Sequence, residues 1–164
     1  MENLNTIIIH AARVGDIAVL QELINQHADV NAQDEKGYTP LIIACYNNKL
    51  EAAKLLLESN ADVNGFDFGG NTALMGASFK GYTDIVELLV QHGADLNMQH
   101  GNGGTALMFA AMFGRNDVVK LLVGYGADKD IVDVRGLSVI DLAAQQGNQE
   151  AIAILEGSSE SLRQ

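Results

Sequence analysis

The chain repeats itself every 33 residues along nearly its whole length, and that register limits its fold more than any other feature. Ala11, Ala44, Ala77, Ala110 and Ala143 keep the spacing, as do Leu23, Leu56, Leu89, Leu122 and Leu155. Thr6, Thr39, Thr72, Thr105 and Ser138 share it with Gly37, Gly70, Gly103 and Gly136. The pairs Ala28-Asp29, Ala61-Asp62, Ala94-Asp95 and Ala127-Asp128 complete the pattern, and no insertion interrupts it. Units this small cannot bury their apolar faces alone, so they must stack.

Each repeated residue has a local task. The Thr or Ser is placed to cap a first helix, its hydroxyl accepting from a free backbone N–H. Pro40 follows one cap at the first helical position, where a missing N–H costs nothing. The recurring Ala lets neighbouring helices approach closely. Leu55-Leu56, Leu88-Leu89 and Leu121-Leu122 put apolar pairs on the core side of a second helix. That helix is expected to end in a left-handed residue at Gly93 and Gly126, with Asn60 an acceptable substitute and His27 a less comfortable one. Asp34, Asp67 and Asp133, each three residues before a Gly, read as tight turns. One unit is a turn, a short helix, a second helix and a loop.

The stretches 34–44 (DEKGYTPLIIA), 82–97 (YTDIVELLVQHGADLN) and 116–128 (NDVVKLLVGYGAD) resemble the ankyrin repeat closely. The resemblance covers residues 1–156 and implies an all-α solenoid of five helix-turn-helix units joined by β-hairpin-like loops. The units fall at about 1–33, 34–66, 67–99, 100–132 and 133–156, followed by a polar tail, 157–164, expected to fray. Glu22 stands where later units have Leu, and the last unit exposes Gln145, Gln146, Asn148, Gln149 and Glu150. The first and last units are therefore expected to act as caps of a finished domain. The family's His after Thr-Pro-Leu is replaced by Ile9, Ile42, Met75, Met108 and Asp141, so apolar packing is expected to substitute for its hydrogen bond. Gly76 occupies a helix slot held elsewhere by Ile43, Phe109 and Leu142, and Phe109 is expected to fill the space it leaves.

Composition narrows the function. The formal charge of −11 argues against nucleic acid, which requires a basic stripe. An acidic surface suits a basic protein partner, or serves solubility alone. The single cysteine, Cys45, cannot form an internal disulfide, and no basic leader or long apolar run is present. These features favour a cytoplasmic, monomeric protein without a membrane span. Cys45 occupies an Ala position and reads as a small buried hydrophobe. His10 falls in a core-like slot, His27 and His92 at second-helix ends, and His100 in the loop HGNGG (100–104), where a turn Asp stands elsewhere. None has zinc-ligand spacing, and the loop lacks the GK[ST] of a phosphate loop, so neither a cofactor, a metal nor an enzyme is expected.

What the resemblance implies is protein binding on a concave face built from hairpin tips and first helices. The positions that the repeat leaves free there hold Tyr38, Tyr46, Phe68, Phe79, Lys80, Met112, Phe113 and Arg135, with Phe66 beside them. Five of the nine aromatics lie at such positions, and aromatics suit a binding hot spot. The competing possibility is that the rings fold back on neighbouring hairpins and stabilise them. On the binding reading, Phe79→Ala with Phe113→Ala removes partner capture and leaves the thermal midpoint nearly unchanged. Two further functions remain open at this point: an inhibitor or immunity-type protein that blocks a target enzyme or toxin, and a self-associating structural protein.

Overall fold

A computed structural model describes residues 3–161 and, within them, ten helices in five consecutive pairs. The pairs are α1 (Leu4–Val14) with α2 (Ile17–Asn25), α3 (Pro40–Tyr46) with α4 (Leu50–Glu58), and α5 (Ala73–Lys80) with α6 (Thr83–Gln91). Then come α7 (Ala106–Met112) with α8 (Asn116–Gly124) and α9 (Val139–Gln145) with α10 (Gln149–Ser161). The first helices pack in one row and the second helices in another. Among the described residues no helix is long and apolar enough to cross a membrane.

The repeated residues perform the tasks their types suggest. The hydroxyls of Thr39, Thr72, Thr105 and Ser138 accept from the N–H three residues on at 3.1, 3.3, 3.3 and 3.3 Å. Thr6 breaks this series. It lies inside α1, because Asn3 caps that helix three residues earlier by accepting from the Asn5 N–H at 2.9 Å. Ala11, Ala44, Ala77, Ala110 and Ala143 and the register leucines are all buried. Ile9, Ile42, Met75 and Met108 are buried where the family has its His, whereas Asp141 is exposed and completes a capping box with Ser138. His27 and Asn60 take positive φ at 62° and 72°, alongside Gly93 and Gly126.

The hairpins are turns more than strands: the one bridge among the described residues joins Phe66 and Thr72. Asp34, Asp67 and Asp133 each bond through Oδ1 to the N–H groups two and four residues on. Successive tips are tied by single backbone bonds, Phe68 N–H to Lys36 at 3.1 Å, Gly101 to Gly69 at 2.9 Å and Val134 to Asn102 at 3.0 Å. That close approach explains Gly103. Its φ is +84°, and a Cβ there would lie 2.8 Å from the Val134 nitrogen. An asparagine ladder ties the loops behind: Asn31, Asn64 and Asn97 accept from the N–H of Asp62, Asp95 and Asp128 at 2.8, 2.8 and 2.9 Å.

The ends depart from expectation in two places. α10 runs through Ser161, so residues 157–161 continue a helix where a frayed tail was expected, and 162–164 lie outside the described residues. Glu22, Gln145, Gln146, Gln149 and Glu150 are exposed, but Asn148 is half-buried, donating to the Ala111 carbonyl at 2.9 Å and capping α10.

Candidate functional site

Tyr46, Phe79 and Met112 share one register position at the C-terminal ends of α3, α5 and α7, so stacking the units sets them side by side. Phe79 stands 6.5 Å from Tyr46 in a near-parallel arrangement, 9° between planes. Its other side meets Phe113 edge-on at 4.6 Å and 72°. Lys80 completes the group with its Nζ 4.7 Å from the Tyr46 ring centroid. Met112 is half-buried against the core. Offset and edge-to-face rings at these separations attract one another.

These contacts pack the rings on one another and not on the neighbouring hairpins. Tyr46 and Phe113 keep 44% and 46% of their surface exposed while packing on Phe79, which is half-buried. The rings therefore stabilise each other and still present apolar surface. An alanine pair at Phe79 and Phe113 removes packing as well as surface, so an unchanged thermal midpoint no longer follows.

At the hairpins, Phe66 and Phe68 are 55% and 72% exposed. Gly37 permits the position of Phe68, since a Cβ on Gly37 would lie 2.7 Å from the ring. Phe66 lies in the bridged hairpin, its carbonyl accepting from Gln33 Nε2 at 3.1 Å. A trough of about 770 Å³ runs beside these tips toward Gln99 and His100. Tyr38 is half-buried against the core. Arg135 is tied down: its Nε and Nη2 both donate to Asp133 Oδ2, at 3.2 and 2.9 Å. Bonds from the Leu137 N–H and from Arg135 hold the Asp133 carboxyl below the ordinary carboxylate range.

Between Tyr46 and Phe79 the surface drops into a hollow of about 430 Å³ floored by Gly76. Arg13, Tyr38, Ile42, Asp67 and Phe109 contribute to its walls. The expected filling of this space by Phe109 does not occur. A Cβ on Gly76 would meet only Tyr46 Cδ2, at 3.5 Å, with no atom of Phe109 within 4 Å. Phe109 instead leans on His100, 5.0 Å between rings, and is half-buried and not fully in the core. His100 thereby replaces the turn carboxylate with a ring contact.

His10, in the same helix slot as Gly76, is exposed and not packed. Gly76 looks back toward Tyr46 of the preceding unit, and His10 in the first unit has no such neighbour among the described residues. His27 and His92 are exposed, His92 Nδ1 lying 3.0 Å from the Leu88 carbonyl. Cys45 is fully buried, and burial pushes its thiol far above the ordinary range, which keeps it protonated. Among the described residues no three His, Cys, Asp or Glu side chains are grouped to hold a metal.

Two cations near the ladder were not singled out by sequence. Arg13 shares the register position of Tyr46 and Phe79, a signal that was present, and lines the hollow. Arg115 donates from Nε to the Phe79 carbonyl at 2.9 Å, a contact across 36 residues that no spacing announces.

The architecture is matched by known proteins. A family profile described as ankyrin repeats (3 copies) matches residues 8–100, and another, ankyrin repeats (many copies), matches residues 89–143. Ankyrin repeat domain-containing protein 49 of Drosophila melanogaster is 42% identical over 55 residues, a segment covering 33% of this chain and 26% of that protein. The similarity to that relative is thus confined to a minority of each chain. Paired helices, capped first helices, zipped hairpins and the two profile matches agree: the chain belongs to the ankyrin-repeat family.

Proposed function

We propose that the chain is a non-enzymatic docking module that grips a protein partner on a concave face formed by its first helices and hairpin tips. Ankyrin repeats are in general protein–protein interaction modules, and the reading here concerns which surface is used. One observation carries it. Phe68, Phe113 and Tyr46, at 72, 46 and 44% exposure, lie at positions the repeat leaves free, with Phe66 beside them at 55%. Large apolar groups kept accessible on a rigid scaffold bury area on a partner at little entropic cost.

The test uses residues whose loss the fold tolerates. Phe68→Ser with Phe113→Ser is compared with the wild-type chain in affinity capture from the source cells, with circular dichroism as the folding control. The expected outcome is loss of the captured protein with helicity retained. Equal recovery of the same protein by the folded variant would refute docking on this face.

A further inference from the structure

Charge is not spread evenly over the two rows of helices. α1, α3, α5 and α7 contain no acidic residue, whereas α2, α4, α6 and α8 carry exposed Glu22, Glu51, Glu58, Asp84, Glu87 and Asp117 against Lys54 and Lys120. Asp29, Asp62, Asp95 and Asp128 add to this side from the loops that follow. Most of the excess negative charge therefore lies on this side, and the exposed acids outside it include Glu35 on a hairpin and Asp141 on α9.

Around the ladder the sign is reversed. Arg13 stands at the wall of the hollow, Lys80 over Tyr46, and Arg115 beside the Phe79 carbonyl. Among the described residues none of these three forms an ion pair with a carboxylate. Asp117 and Glu150 share a side cleft with Lys80 and Arg115 without pairing to them, and Glu150 accepts from Asn116 Nδ2 at 3.0 Å. The carboxylate in the wall of the hollow, Asp67, is buried and occupied, accepting from the N–H groups of Gly69 and Asn71 and from Asn71 Nδ2.

The hollow itself exists because of Gly76. In the second and fifth units the same slot is closed by Ile43 and Leu142, 4% and 2% exposed. A glycine weakens a helix interior, and here its omission of a side chain leaves a space within the range of about 300–1,000 Å³ typical of ligand clefts.

We infer that the docked segment is acidic and apolar: one bulky apolar side chain enters the hollow over Gly76 while flanking carboxylates meet Arg13 and Lys80. This rests on the docking proposed above and specifies its partner. It replaces the basic partner suggested by net charge, because a partner on this face meets the local cations and not the acids of the second helices. Carboxylates bonded to arginine and lysine beside an apolar contact form charge-assisted hydrogen bonds and set the register of the segment.

The test is selection of a random-peptide phage library on the immobilised full chain. Enriched peptides are then titrated by fluorescence anisotropy against the wild type and three variants. These are Gly76→Leu, Arg13→Glu with Lys80→Glu, and Phe68→Ser with Phe113→Ser. Enriched sequences should place a large apolar residue among Asp or Glu. Gly76→Leu should weaken binding by about tenfold or more while circular dichroism shows the chain still folded, since a Cβ there meets only Tyr46 Cδ2 and about 430 Å³ lies open beside it. Charge reversal should weaken it by about tenfold or more, with affinity falling as salt is raised. Basic or uncharged winners, or acidic ones that bind Gly76→Leu at full affinity, overturn the inference while docking stands, provided the Phe68/Phe113 variant loses them. Winners that bind the Phe68/Phe113 variant unchanged refute the docking face itself, and a selection that enriches nothing counts against both.

Discussion

Phe79 is the position at which packing and recognition can be separated by measurement. A fully buried Phe replaced by Ala loses about 3–5 kcal/mol. Phe79 is half-buried, with Tyr46 on one side and Phe113 on the other at 6.5 and 4.6 Å. Roughly two-thirds of the lower figure, ~2 kcal/mol, is therefore expected for Phe79→Ala, of which roughly 1 kcal/mol belongs to the ring contacts. Phe113, 46% exposed and in contact with Phe79 edge-on, should lose ~1 kcal/mol, most of it from that ring contact. Phe68, 72% exposed, should change stability by no more than about 0.5 kcal/mol. Urea unfolding followed by circular dichroism gives the three values, compared at unchanged m so that the same surface is exposed in each. In a domain of this length the largest loss corresponds to about 4–8 °C in thermal midpoint. The double substitution at 79 and 113 should fall short of additivity by about 1 kcal/mol. Equal losses at all three positions, or strict additivity at 79 and 113, would show that the rings do not pack as described.

Gly76→Ala should stabilise the chain by about 1 kcal/mol, because the helix gains a better former and the new Cβ finds ordinary contact with Tyr46 at 3.5 Å; a lower urea midpoint would contradict an open hollow. Ser78 is fully buried and its hydroxyl has no hydrogen-bond partner among the described residues, so Ser78→Ala should raise stability by about 1 kcal/mol, and a loss in the same assay would mean that the hydroxyl is satisfied. Asp133 has a depressed carboxyl pKa in the fold, so its contribution is present above the ordinary value near 3.8 and disappears as pH falls through the folded value. Asp133→Asn should flatten the acid limb of the stability curve in that window, and an unchanged acid limb in urea titrations from pH 5 to pH 2 would remove Asp133 from the account.

The legible parts of this protein were those encoded within a single unit. Thr39, Thr72 and Thr105 cap their helices because a hydroxyl three residues from an N–H needs no distant partner. Asn60 and His27 occupy left-handed positions because the register alone marks the helix end. Thr6 holds the register but does not cap its helix, because Asn3, outside the repeat pattern, caps the start three residues earlier. His10 is exposed because a slot that faces the preceding unit is not a core slot in the first unit. The hollow over Gly76 was half visible. Its missing side chain could be seen in the sequence, but whether Phe109 filled it depended on a ring choosing His100 instead.

The sequence by itself determined the unit, its length and the count of five, because a 33-residue period records contacts made with nearest neighbours. Only the tertiary structure decided how the residues outside the repeat pattern meet. Tyr46, Phe79 and Phe113 become one ladder, Arg115 reaches the Phe79 carbonyl, and the acids gather on the second helices while cations border the hollow. The physical reason is that ring stacking, side-chain reach and local charge depend on angstrom distances between units, which a periodic sequence brings together without setting their geometry.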